Sequence, residues 1–182
     1  MILIATEKKS GMQLLADEYN EDIIISFASQ FEDPQVELSK DALIQKAQKM
    51  TTSYILQYYP DTKQRSDVSD KENGESYLAY KGFNTTEIRK DITSLILSNT
   101  DFQTALSNLN EKYNKNDDQM ISYWLSQVLK MAYRQYFVFQ VKQEYSEYIA
   151  KVKQAEDTSD LQHFEIKTPF PALPWDNKKP CL

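Results

Sequence analysis

SYWLSQVLKMAYRQYFVFQVKQEYSEYIAKV, residues 122–152, contains neither glycine nor proline and carries eight aromatic side chains: Tyr123, Trp124, Tyr133, Tyr136, Phe137, Phe139, Tyr145 and Tyr148. The breaker-free run extends from Asp118 to about Glu156. With no residue that removes a backbone donor or frees φ, nothing interrupts an i→i−4 ladder, and one helix is expected from about 119 to 156. One stripe reads Trp124, Val128, Met131, Val138, Val141, Tyr145, Tyr148 and Val152, and a second reads Ile121, Leu125, Leu129, Ala132, Tyr136 and Phe139. Between 121 and 141 the two cover more than half the circumference, leaving Ser126, Lys130 and Arg134 as the expected wet edge. A helix so broadly apolar is the central helix of a bundle. Beyond Gln143 the pattern narrows to Tyr145, Tyr148, Ile149 and Val152. At about 1.5 Å per residue such a helix is about 57 Å long, so its far end is expected to bend, project or meet another subunit.

Working outward, the polar turn Asn114 to Asp118 precedes this helix, and Asp117 and Asp118 suit its positive end. Thr100-Asp-Phe-Gln103 reads as a capping box for a helix with Phe102, Leu106, Leu109 and Tyr113 inward. Asn84-Thr85-Thr86 offers caps for another, with Ile88, Ile92, Leu95 and Ile96 on one face. Further upstream, Ser10-Gly-Met-Gln13 caps a first helix carrying Met12, Leu15, Tyr19, Ile23, Phe27 and Phe31. Asp33-Pro34 or Ser39 starts a second helix with Leu43, Ala47, Met50, Tyr54 and Tyr58 in a stripe, which Pro60 ends. The segment 60–76, PDTKQRSDVSDKENGES, has Val68 as its one aliphatic residue. It offers too little apolar area to offset the entropy of ordering, so a polar loop is expected there. Tyr77, Leu78, Tyr80 and Phe83 follow as a short patch closed by Gly82.

The expected fold is therefore all-α: a bundle of five or six helices around a long aromatic helix, within a single helical domain, 1–164. Residues 165–182 form a separate tail, in which Pro169, Pro171 and Pro174 favour an extended course that presents Phe170, Leu173 and Trp175. That tail either docks into a partner or packs back across its own bundle.

The chain has 182 residues and one cysteine, Cys181, which excludes an intramolecular disulfide and a CxxC motif. The apolar run at the N-terminus is too short for a signal peptide, and no run approaches the ~18 residues of a membrane span, so a cytoplasmic location is expected. The net charge of −6, with no lysine or arginine cluster longer than Lys8-Lys9 or Lys178-Lys179, argues against nucleic acid. The three glycines are too scattered for a phosphate-binding loop. His163 has no acid arranged beside it in triad fashion, and the calcium-loop-like stretch Asp70 to Gly74 fails in register. No cofactor and no metal are expected. Asp17, Glu18, Glu21 and Asp22 put carboxylates one turn apart, a pattern that suits a solvated face, a hard cation or acid/base work.

Leu78 to Ile92, LAYKGFNTTEIRKDI, resembles the opening helices of TetR-type repressors, in which an aromatic-x-x-Lys-Gly-Phe stretch precedes Thr-Thr and an Asp-Ile pair. The resemblance spans about fifteen residues. It departs where that family places a small-residue turn, since Thr93-Ser-Leu-Ile-Leu follows here, mid-chain and among acids, and it is read as chance. A transcriptional regulator ranks behind the two functional expectations that remain. The first is a non-enzymatic protein-binding module, such as a bacterial or phage adaptor, a secretion chaperone or a toxin-neutralising protein. It would act through its acidic surface on a basic partner, through Tyr145, Tyr148 and Val152 of the distal long helix (which could also join two copies of the chain), or through Phe170, Leu173 and Trp175 of the tail. The second is a helical metal-dependent hydrolase using the N-terminal carboxylates.

Overall fold

A computed structural model describes residues 37–176. The first predicted helix, the Asp17 to Asp22 carboxylates, Asp33-Pro34 and Cys181 lie outside them. Among the described residues there are five α-helices: α1 (Lys40–Tyr58), α2 (Asp61–Tyr80), α3 (Thr85–Leu97), α4 (Phe102–Tyr113) and α5 (Gln119–Gln154). A 3-10 turn (Ser159–Leu161) then reverses the chain into an extended tail that belongs to the same compact unit as the helices. The all-α bundle around one long helix is the architecture the periodicity predicts.

α5 is the spine, and every other element is laid along it. Lys40 Nζ donates to the Lys153 carbonyl at one end of α1, while Ile55 packs with Phe137 and Val141 at the other. α1 therefore runs antiparallel to the distal half of α5. α2 continues in the same sense over the proximal half, with Asp67 beside Arg134 and Gly74 against Trp124 and Val128. Ile88, Ile92 and Ile96 of α3 and Phe102, Ala105 and Leu109 of α4 close the proximal core around Leu125, Leu129 and Met131. The far end of α5 neither bends away nor projects. Tyr148 is covered by Phe164, with 4.6 Å between ring centroids, and its hydroxyl donates to the Leu161 carbonyl, because the returning chain lies over it.

Local chemistry sets the ends. Asp118 caps α5 by accepting from the Met120 and Ile121 amides, and Asn84 caps α3 by accepting from those of Thr86 and Glu87. The cap of α4 is Asp101, not Thr100, since its carboxylate reaches both the amide and the hydroxyl of Thr104. α2 ends with Gly82 at φ 93°, and the Phe83 amide returns to the Leu78 carbonyl. α3 ends in the same way, with Asn99 at φ 57° and the Thr100 amide on the Leu95 carbonyl. These are left-handed closures of the kind glycine and asparagine tolerate.

The expected loop at 60–76 is instead helix α2. Its buried positions are Asp67, Gly74 and Leu78, spaced by seven and four. The apolar count misled because two of those three are not aliphatic: Asp67 is held by an ion pair, and Gly74 lets α2 approach α5 closely. Val68, on which the loop reading turned, points outward and is 50% exposed. Arg134 is the second correction. Expected on the wet edge with Ser126 and Lys130, it is 2% exposed, on the same face as Met131, Phe137 and Val141. Phe139, assigned to an inner stripe, is 60% exposed. At 100° per residue it lies about 200° from Phe137, so the two cannot both face the core.

Candidate functional site

Among the described residues, two constellations of chemically capable side chains involve the tail. The first is buried where α1, α2, α5 and the tail meet. Arg134 Nη1 donates to both Asp67 oxygens, at 3.1 and 2.9 Å, and Nη2 donates to Asp176 Oδ1 at 3.2 Å. The Tyr59 hydroxyl donates to Asp67, that of Tyr58 to Asp176, and Lys63 Nζ stands 3.4 Å from Asp176. Burial, then the carboxylates they face, push both phenols well above their ordinary range. Burial works against the Arg134 charge, yet its hydrogen bonds to Asp67 outweigh this and hold the guanidinium more firmly protonated than usual. The residue types are those of a catalytic centre, but each carboxylate is already occupied by arginine and tyrosine and little of the cluster reaches solvent. Its chemistry is that of a latch between the tail and three helices.

The tail is held at a second point. The Glu144 carboxylate accepts from the Lys167 and Thr168 amides and from the Thr168 hydroxyl, while the Tyr54 hydroxyl donates to the Thr168 carbonyl at 2.6 Å. Partial burial raises the Glu144 carboxyl, but these donors prevail and leave it below the usual range. Between the two clamps Phe170 stacks with Tyr58, 5.4 Å between centroids, and meets Phe137 edge-on. Leu173 is 2% exposed within the core that also holds Phe102. Trp175 sits edge-on to Phe102 with Lys130 Nζ 5.2 Å from its ring, and 38% of it remains exposed.

Of the six residues predicted to bind a partner, Tyr148, Val152 and Leu173 are buried by their own chain. Phe170 stays 37% exposed. Tyr145 is half-buried and lines a shallow depression with Gln48, Thr52 and Lys142. The extended tail does what an extended peptide does in a groove, but the groove is its own.

Packing the tail onto α5 creates the second constellation. Between the tail, the α3–α4 turn and α5 lies an open groove of about 550 Å³, lined by Ile96, Phe102, Tyr133, Tyr136, Phe137 and the tail residues 169–173, with Asn99, Asp101 and Gln140 at its polar positions. It continues past Tyr136 and Gln140 into a smaller depression of about 200 Å³ with Glu144 and Glu147. At its margin Phe139 stacks on Tyr136, with centroids 6.1 Å apart and planes at 17°. The sequence reading missed this surface because it needs a tail docked 30 residues from its wall. The available signal was Phe139, which falls out of register with the buried positions 134, 137 and 141.

Among the described residues no group of histidine, cysteine or carboxylate side chains could hold a metal ion, and no helix is long and apolar enough to cross a membrane. Comparison with protein-family models, with curated proteins and with solved structures finds no match to this chain.

Proposed function

We propose that this protein is a non-enzymatic protein-binding module and that its binding surface is the groove beside Tyr136 and Phe139, not the anchors of its tail. The observation that carries this reading is the exposed Phe139, stacked on Tyr136, which lines a groove whose other wall is the docked tail. Phe139 contributes little to its own core and places a large aromatic face in water beside a groove of ligand-binding size. Aromatic side chains are enriched among the anchors of protein interfaces. The net charge of −6 supports a basic partner.

The test is photo-crosslinking in the native host, with a benzoylphenylalanine in place of Phe139 and, as control, in place of the exposed Ser66 of α2. A defined adduct at 139 that is absent at 66 is expected. Equal labelling at the two positions, or none at 139, would remove the reading.

A further inference from the structure

The groove's lining identifies its occupant. Across the groove and the depression that continues it, the charged lining residues among the described residues are Asp101, Glu144 and Glu147, with no lysine, arginine or histidine among them. Asp101 is held by Thr104 as a helix cap, and Glu144 is occupied by the tail, where the exposed Lys167 stands nearby. Glu147 accepts a single hydrogen bond of 3.4 Å, from Gln143, and is exposed. It is the carboxylate left to meet a cation. The groove itself is walled by aromatic and proline rings, with the polar amide residues Asn99 contributed by the α3–α4 turn and Gln140 by α5. An amide side chain donates and accepts at once, as a peptide group does, so the pair suits the backbone of an extended segment.

Resting on the reading that the groove binds a protein, we propose that its ligand is an extended peptide segment of a basic partner, which seats one large apolar side chain between Tyr136 and Phe170 and lays a lysine or arginine on Glu147. Helix geometry sets the spacing. Tyr136 and Glu147 are three turns apart on α5, about 16 Å, which an extended chain covers in about five residues. The recognised pattern is an apolar anchor with a basic residue about five positions away.

The experiment uses the full chain and a random peptide library displayed on phage, followed by fluorescence-polarisation titration of synthetic peptides from the selected sequences. Enrichment of that pattern is expected, with affinity falling about ten-fold or more when the anchor becomes serine or the basic residue becomes glutamate. Glu147→Lys, a surface change outside the core, should reverse the charge preference, so that the glutamate peptide binds better than its lysine parent. Selected peptides with no basic bias, or a Glu147→Lys protein with an unchanged preference, would overturn the proposal. If Phe139 crosslinks to a partner whose contacting segment lacks the pattern, the proposal fails while the protein-binding reading stands. No crosslinked partner and no selected peptide would sink both.

Discussion

Arg134 donates to both carboxylate oxygens of Asp67, 67 positions earlier in the chain, and the pair is sealed inside the bundle with side-chain exposures of 3% and 4%. Asp176 joins the same guanidinium from the tail, so one cation of the long helix ties α2 and the C-terminal segment to the spine. A buried pair of this kind adds modestly to stability while both members are present, because desolvation consumes much of its attraction. Its larger effect is on specificity, since an incorrect register of α2 on α5 strands a charge.

Removing one member should therefore cost far more than removing the set. Arg134→Met leaves Asp67 buried without a cation and Asp176 with Lys63 alone, and is expected to lower unfolding stability by about 3–5 kcal/mol. Arg134→Met combined with Asp67→Leu and Asp176→Asn should recover at least part of that loss. Urea denaturation of the variants measures both, and additive losses would show that the cluster is not coupled.

The tail should behave as core. Leu173→Ala is expected to destabilise by about 2–4 kcal/mol, the range for a buried leucine that leaves a cavity. Trp175→Ala, at a ring that is 38% exposed, should cost less, although the residue is larger. Deleting the chain from Thr168 onward should lower the melting temperature and increase binding of a hydrophobic dye, because Tyr54, Tyr58 and Phe137 lose their cover. A truncated protein as stable as the full chain would show that the tail is dispensable to the fold.

Docking of the tail should weaken in acid. The Glu144 carboxyl is lower in the fold than its free value of 4.5, so its contribution is fully present above pH 4.5 and disappears as the pH falls through the folded value. Glu144→Gln should remove that dependence and make amides 167 and 168 exchange faster at neutral pH. Hydrogen exchange of those two amides against pH is the direct measurement, and a profile unaltered by the substitution would rule out the clamp.

Gly74 should resist replacement even by alanine. A Cβ there would lie 2.9 Å from Val128 Cγ2 and 3.0 Å from Trp124 Cε3. Alanine in a helix interior ordinarily gains about 1 kcal/mol over glycine, but a β-branched neighbour fixed in one rotamer cannot yield cheaply. Gly74→Ala is expected to destabilise by about 1–3 kcal/mol, as overpacking does. A thermal melt showing stabilisation would mean that α2 can move away from α5.

The sequence alone was enough to establish the helical class, the extent of α5 and where α3 and α5 begin, with caps offered by Asn84-Thr85-Thr86 and an acidic start at Asp117 and Asp118, because these follow from breaker-free runs and from side chains acting on their own backbone neighbours. Three things depended on tertiary structure. α2 is a helix because Asp67 finds Arg134 and Gly74 finds Trp124, partners more than 45 residues distant that no local count of apolar residues includes. Tyr148, Val152 and Leu173 are buried because the chain reverses at 159–161 and lies back along its own spine. The groove exists only once that tail is docked. Local propensity is a property of neighbours in sequence, whereas the burial of a charge, the closeness of two backbones and the far wall of a groove belong to residues that only folding brings together.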